Sequence, residues 1–149
     1  IKDNVPEAEF HLAGRNGSSE WSKINIPGII YYGEVPDADV FAADKNICIV
    51  PLFSGSGMKI KIVDAMNMAK PVVTTAKGAE GMPPGTEEQV FVANTKEQFV
   101  EIIITLLQDA EMSVNKGIAA KTFVRNTLSN SILAKKLIQF YWSLFQHSS

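Results

Sequence analysis

The stretch from Pro51 to Thr75 limits what this chain can fold into more than any other. It reads Pro-Leu-Phe-Ser-Gly-Ser-Gly-Met-Lys-Ile-Lys-Ile-Val-Asp-Ala-Met-Asn-Met-Ala-Lys-Pro-Val-Val-Thr-Thr. The order is strand, glycine loop, helix, strand. A short apolar run, Ile47 to Leu52, supplies the first strand, and Ser54-Gly55-Ser56-Gly57 follows at its carboxyl end. A helix then runs to about Ala69, stopped by Pro71. In an open α/β sheet, ligands bind outside the carboxyl ends of the strands, where loops turn into helices. The first turn of such a helix has unpaired N–H groups and partial positive charge, which suits an anion.

Two faces are expected on this helix. Met58, Ile62, Ala65, Met66 and Ala69 follow the helical period and should face the sheet. Gly57, Lys61 and Asp64 fall at i, i+4 and i+7 and share another face. Lys59 and Lys61 should occupy the first two turns, where an exposed cation opposes the macrodipole at about 0.3–1 kcal/mol each. A phosphate seated on the glycine loop would remove that penalty. The plainer reading is a solvated face with two surface lysines beside a Gly-Ser turn, and spacing alone leaves both open.

The rest of the chain repeats the alternation. Strands are expected at Ala8–Ala13, Ile29–Tyr32, Val72–Thr75 and Gln89–Ala93, with a short helix from Asp37 to Ala43 capped by Asp37. Strands alternating with helices argue for a parallel sheet covered on both faces, a Rossmann-like α/β fold. Beyond Thr95 the pattern is helical. Thr95 caps a helix with a buried stripe of Phe99, Ile102, Ile103, Leu106 and Leu107, and further helices are expected over about 111–124 and 130–145. The last spreads Phe140, Tyr141, Trp142 and Phe145 too widely for one surface to cover. Either it packs tightly as a terminal helix or it reaches a second body.

A chain of 149 residues is one domain by size. Its net charge of −2 argues against nucleic acid as a partner. The single cysteine, Cys48, lies in an apolar strand, excludes an internal disulfide, and permits a reducing compartment. His11 is expected to be structural, Arg15 to be solvated in the Gly14-Arg15-Asn16-Gly17 loop, and His147 to lie in the tail. No metal-spaced cluster, carboxylate pair or Ser-His-Asp set stands out, so no catalytic residue and no metal site are assigned.

Read together, several segments resemble the retaining GT-B glycosyltransferases of the glycosyltransferase group 1 family. They are the apolar strand ending in Pro51-Leu52, Gly55-Ser56-Gly57-Met58-Lys59-Ile60-Lys61-Ile62-Val63-Asp64-Ala65-Met66, Lys70-Pro71-Val72-Val73-Thr74-Thr75, Gly78-Ala79-Glu80-Gly81-Met82, and upstream Gly33-Glu34-Val35-Pro36-Asp37. The resemblance covers nearly the whole chain. It implies residues 1–149 are the C-terminal, nucleotide-sugar-binding domain, with amides near Ser56, Gly57 and Met58 holding the donor diphosphate. Lysine charge would come from Lys59 or, by preference, Lys61. Asp64 stands where the family usually has a ribose-gripping glutamate, and the base would lie near Val35. Glu80 would lie near the acceptor cleft. No cofactor or metal is implied beyond the nucleoside diphosphate sugar itself, and a cytoplasmic setting is expected.

Two departures stand out. Many relatives carry a second glutamate eight residues before the ribose carboxylate, where this chain has Ser56. The family's first strand, with its arginine and lysine, has no counterpart, so the domain is expected to be N-terminally truncated. In a sheet of order 3-2-1-4-5-6 that strand is central. Its loss should leave the strands near Phe10 and Ile49 with open edges or closed on each other. The isolated chain should be inactive without its N-terminal GT-B partner domain, and any membrane contact would come only through the full-length protein. The open alternatives are a non-catalytic nucleotide- or anion-binding module and a GT-B sugar-nucleotide epimerase.

Overall fold

A computed structural model describes residues 1–15, 17 and 21–146. Asn16 and His147 lie outside the described residues. In chain order the elements are β1 (Phe10–Leu12), a 3-10 turn (Trp21–Lys23), β2 (Ile29–Tyr31), α1 (Ala38–Ala43), β3 (Cys48–Val50), α2 (Ile60–Asn67), β4 (Val72–Thr74), α3 (Ala76–Ala79), a second 3-10 turn (Thr86–Glu88), β5 (Phe91–Val92), α4 (Lys96–Gln108), α5 (Ala110–Leu128) and α6 (Asn130–Gln146). The α/β alternation is as expected. The strands are shorter, and the 76–85 segment, expected as loop, contains α3. At β3 the shortening has a local cause: the Leu52 N–H turns back onto the Val50 carbonyl at 3.0 Å and ends the ladder.

All pairing is parallel, but the strands form two sheets. β1 pairs with β2, with Phe10 opposite Ile29 and Leu12 opposite Tyr31. Separately, β3, β4 and β5 form a second sheet, with Cys48 opposite Val72 and Val73 opposite Phe91. Of the two outcomes expected for the region between Phe10 and Ile49, the structure shows open edges.

Strand alternation assigns the two faces of the larger sheet. Val72 joins one core cluster with Val50, Ile62, Ala65, Met66, Ala120 and Val124, beneath α2 and α5. Val73 joins the other, with Ala93, Ile103 and Leu106, beneath α4. Every residue of β4 is buried, as a central strand covered on both faces must be. The α4 start carries the full capping box: the Thr95 side chain accepts the Gln98 N–H at 3.3 Å, and the Gln98 side chain accepts the Thr95 N–H at 3.2 Å. Asp37 caps α1 through the Asp39 and Val40 N–H groups.

α2 and α5 meet at an unusually close point. α2 ends in a Schellman turn, in which Ala69 N–H bonds Met66 O and Lys70 N–H bonds Ala65 O. Ala69, not a glycine, takes the left-handed position at φ 57°. Gly117 of α5 lies so close that an added Cβ would stand 2.0 Å from the Ala69 carbonyl oxygen.

Of the two outcomes expected for the terminal helix, tight packing is not what the structure shows. α6 packs on α5, yet Leu137, Ile138, Phe140, Tyr141, Trp142, Leu144 and Phe145 are all more than half exposed. The apolar arc is wider than α5, the neighbour it packs on, can cover.

Candidate functional site

The loops after β3 and β4 leave the same edge of the sheet, because the two strands are parallel. That edge places the glycine loop beside the Gly78–Met82 segment. Gly55 and Gly57 adopt φ of 105° and 73°, left-handed values that a helix cannot include. The helix therefore begins at Ile60, later than the spacing suggested, with Lys59 as its N-cap. Lys59 is held from both ends: its backbone N–H points at the Met82 sulfur, 3.4 Å away, and its Nζ donates to the Gly57 carbonyl at 2.6 Å. Of the two lysines, only Lys61 stands in the first turn.

The shift changes which amides are free. Ile62 and Val63 N–H groups bond back to the Lys59 carbonyl. Ile60 and Lys61, the first two helical residues, have no intrahelical acceptor. No acidic residue occupies the first turn, and the N-cap side chain makes no capping bond. Met58 is 46% exposed and lies ahead of the helix, so it does not share the sheet-facing stripe. Ile62, Ala65 and Met66 do. Fully burying one Ile or Met side chain contributes about 1.5–3 kcal/mol, which outweighs a cost of about 0.3–1 kcal/mol for Lys61 at the positive end of the dipole. Packing positions α2, and its polar face is left for other uses.

Ser56, Gly57, Lys61 and Asp64 are exposed, and Val35 is half-buried between β2 and α1. Partial desolvation raises the pKa of the Asp64 carboxyl from its ordinary value, and the charge of Asp39 in α1 adds to the rise. Asp39 lies two residues past Asp37, so the Val35–Asp39 turn is within electrostatic reach of α2. Cys48 lies beneath: burial raises its thiol pKa, and the Lys61 charge pulls the other way. It packs against the core as a small apolar residue. Glu80 is held below its ordinary value by a hydrogen bond from Lys77 at 2.7 Å, with Lys59 contributing charge.

The remaining polar candidates have structural partners. His11 sits between Tyr32 Oη (3.0 Å) and Glu9 Oε2 (3.1 Å) and stacks on the Tyr32 ring. Arg15 pairs with Glu34 at 2.8 Å, both exposed. Among the described residues, no group of three or more His, Cys, Asp or Glu could hold a metal, and no helix is long and apolar enough to cross a membrane. Sequence reasoning gave no role to Gly81, Met82 or Asp39. An added Cβ on Gly81 would stand 3.0 Å from the Gly57 carbonyl oxygen, so the second glycine loop backs the first. The only sequence signal for this was the Gly-Ala-Glu-Gly-Met run.

A family profile described as "Glycosyl transferases group 1" matches residues 1–109. The chain belongs to the group 1 glycosyl transferases. A curated relative from Klebsiella pneumoniae, the "Uncharacterized 44.6 kDa protein in cps region", is 33% identical over an alignment covering 83% of this chain. The chain spans about a third of that relative's length, as the alignment covers 33% of it. As a group 1 glycosyl transferase domain, the α/β body is a Rossmann-like half of a GT-B fold. The family match takes in the glycine loop, α2 and the Gly78–Met82 segment together.

Proposed function

We propose that residues 1–149 are the donor-binding half of a retaining glycosyltransferase. The intact enzyme moves a sugar from a nucleoside diphosphate sugar to an acceptor hydroxyl, in the building of a polysaccharide or glycolipid. The observation that carries this reading is the α2 N-terminus, which stands at the carboxyl edge of a parallel sheet with no acid in its first turn, a lysine at its second position and an exposed glycine loop ahead of it. Such an end stabilises anions.

In this reading the diphosphate lies against the Ser56–Met58 loop and the Ile60 and Lys61 amides. Lys59 spans the loop and, with Lys61, adds positive charge. Charge builds on the diphosphate as the glycosidic bond breaks, and preorganised N–H groups and ammonium groups stabilise that charge most in the transition state. Asp64 accepts the ribose hydroxyls from one turn further along the helix, and the base lies near Val35. The acceptor site belongs to the partner GT-B domain, so residues 1–149 alone bind donor without transferring it.

The test is calorimetric titration with a panel of nucleoside diphosphates. At least one should bind, and Lys61→Ala and Asp64→Ala should each weaken it about tenfold or more, the scale of one charge-assisted hydrogen bond. Unchanged affinity in both variants would refute the site. Anomeric analysis of the product of the intact enzyme tests retention.

A further inference from the structure

The two lysines at the glycine loop are not equivalent. Lys61 is exposed, and it makes no hydrogen bond or ion pair among the described residues. Lys59 is half-buried, and its ammonium is already committed: Nζ donates to the Gly57 carbonyl at 2.6 Å. Its backbone N–H is held as well, by the Met82 sulfur at 3.4 Å. The Lys59 charge also reaches the Glu80 carboxylate, so this ammonium stands toward the Gly78–Met82 segment.

One peptide lies at the centre of these contacts. The Gly57 carbonyl is gripped by Lys59 and rests against Gly81, where an added Cβ would stand 3.0 Å from its oxygen and 3.1 Å from its carbon. In a trans peptide, as this one is, C=O and N–H point in opposite directions. With the carbonyl fixed toward Lys59 and Gly81, the Met58 N–H leaves the far edge of the same peptide. It meets no acceptor among the described residues, Met58 is exposed, and nothing stands within 4 Å on the Cβ side of Gly57. Which way round this peptide sits decides what the loop offers an anion, because an N–H attracts a phosphate oxygen and a carbonyl oxygen repels it. Glycine tolerates either setting, so Gly57 does not choose between them by itself. The choice falls to the contacts on its carbonyl.

Taking the donor diphosphate to lie against this loop, as in the reading above on which this step rests, we propose that Lys59 is a positioning residue. It holds the Gly57 carbonyl away from the phosphates and so aims the Met58 N–H at them. Lys61, exposed and uncommitted, supplies the charge that meets the ligand directly. Gly81 shares the task of Lys59. Its φ of 77° disfavours any side chain, and a Cβ there would press on the Gly57 peptide and turn it from its setting.

Nuclear magnetic resonance can read this one peptide. Labelling the intact protein with carbonyl-labelled glycine and nitrogen-labelled methionine selects Gly–Met pairs, and residues 1–149 hold two, Gly57–Met58 and Gly81–Met82. Calorimetry against uridine, guanosine, adenosine and cytidine diphosphates first finds the nucleotide that binds. At saturation with it, the Met58 amide proton should move downfield in the wild-type protein. In Lys59→Met, which keeps the aliphatic stem, binding should weaken about tenfold and most of that movement should vanish. Lys59→Arg should restore it. An equal downfield movement in Lys59→Met, whatever its affinity, would overturn the positioning role and leave Lys59 as a plain charge. A wild-type Met58 amide that stays still while nucleotide binds would overturn it too, with the donor site intact. Failure of every nucleotide to bind would sink the donor-site reading itself, and the role of Lys59 with it.

Discussion

Replacing Gly117 by alanine sets two known effects against each other at one atom. Gly117 lies inside α5, where alanine is favoured over glycine by about 0.8–1 kcal/mol on propensity alone. The new Cβ, however, would stand 2.0 Å from the Ala69 carbonyl oxygen and 2.7 Å from its carbon, both backbone atoms. Real Cβ atoms essentially never come closer than 3.0 Å, so α5 or the end of α2 has to yield by about 1 Å. That movement opens the cluster in which Ile62 and Met66 meet Ala120 and Val124. Overpacking of this kind costs about 1–3 kcal/mol. The net expectation is a loss of up to roughly 2 kcal/mol, a fall in Tm of up to about 4–8 °C for a domain of this size. Thermal unfolding followed by circular dichroism reads it directly. Asn115→Ala, exposed on the same helix, is the control and should raise Tm slightly through propensity alone. A Gly117→Ala protein that melts above the wild-type temperature, as propensity alone would make it, would show that the close approach to Ala69 does not exist in solution.

Ala69→Gly should stabilise the protein by about 0.5–1 kcal/mol, because it relieves a left-handed alanine at φ 57°; a lower denaturant midpoint would contradict the Schellman assignment. Thr95→Ala removes the capping-box acceptor of α4 and should cost about 1 kcal/mol in chemical denaturation. If Asp64 accepts ribose hydroxyls as a carboxylate, nucleotide affinity is full at neutral pH and falls as pH drops through its pKa. Burial and Asp39 raise that pKa, so the fall begins at a higher pH than an ordinary aspartate would give. Calorimetry across pH should show the step lowered by Asp39→Asn and abolished by Asp64→Asn. For folding the sign is opposite: a raised Asp64 favours the native state at low pH, and that contribution is lost as pH climbs through the folded-state value.

The two caps illustrate what local chemistry can announce. Asp37 and Thr95 were legible because a capping side chain satisfies N–H groups two or three residues away, within reach of sequence inspection. The turn that ends α2 was not, since its left-handed residue is an alanine, which carries none of the signal a glycine there would give. The start of α2 moved for a similar reason: helical periodicity ran back to Met58, but Gly57 held in the left-handed region and the Met82 contact at Lys59 delay the helix to Ile60.

The sequence by itself determined the α/β class, the order of the elements and the strand–glycine loop–helix unit, because these rest on apolar periodicity and on residues close along the chain. Motifs in the expected order also pointed to the group 1 glycosyl transferases. Only the tertiary structure decided that the strands part into two sheets, that the Asp39 charge reaches Asp64, that the Gly81–Met82 turn backs the glycine loop, and that α6 keeps most of its aromatics in solvent. Those facts depend on which surfaces meet across distant segments, and contacts of that kind leave no period in the sequence.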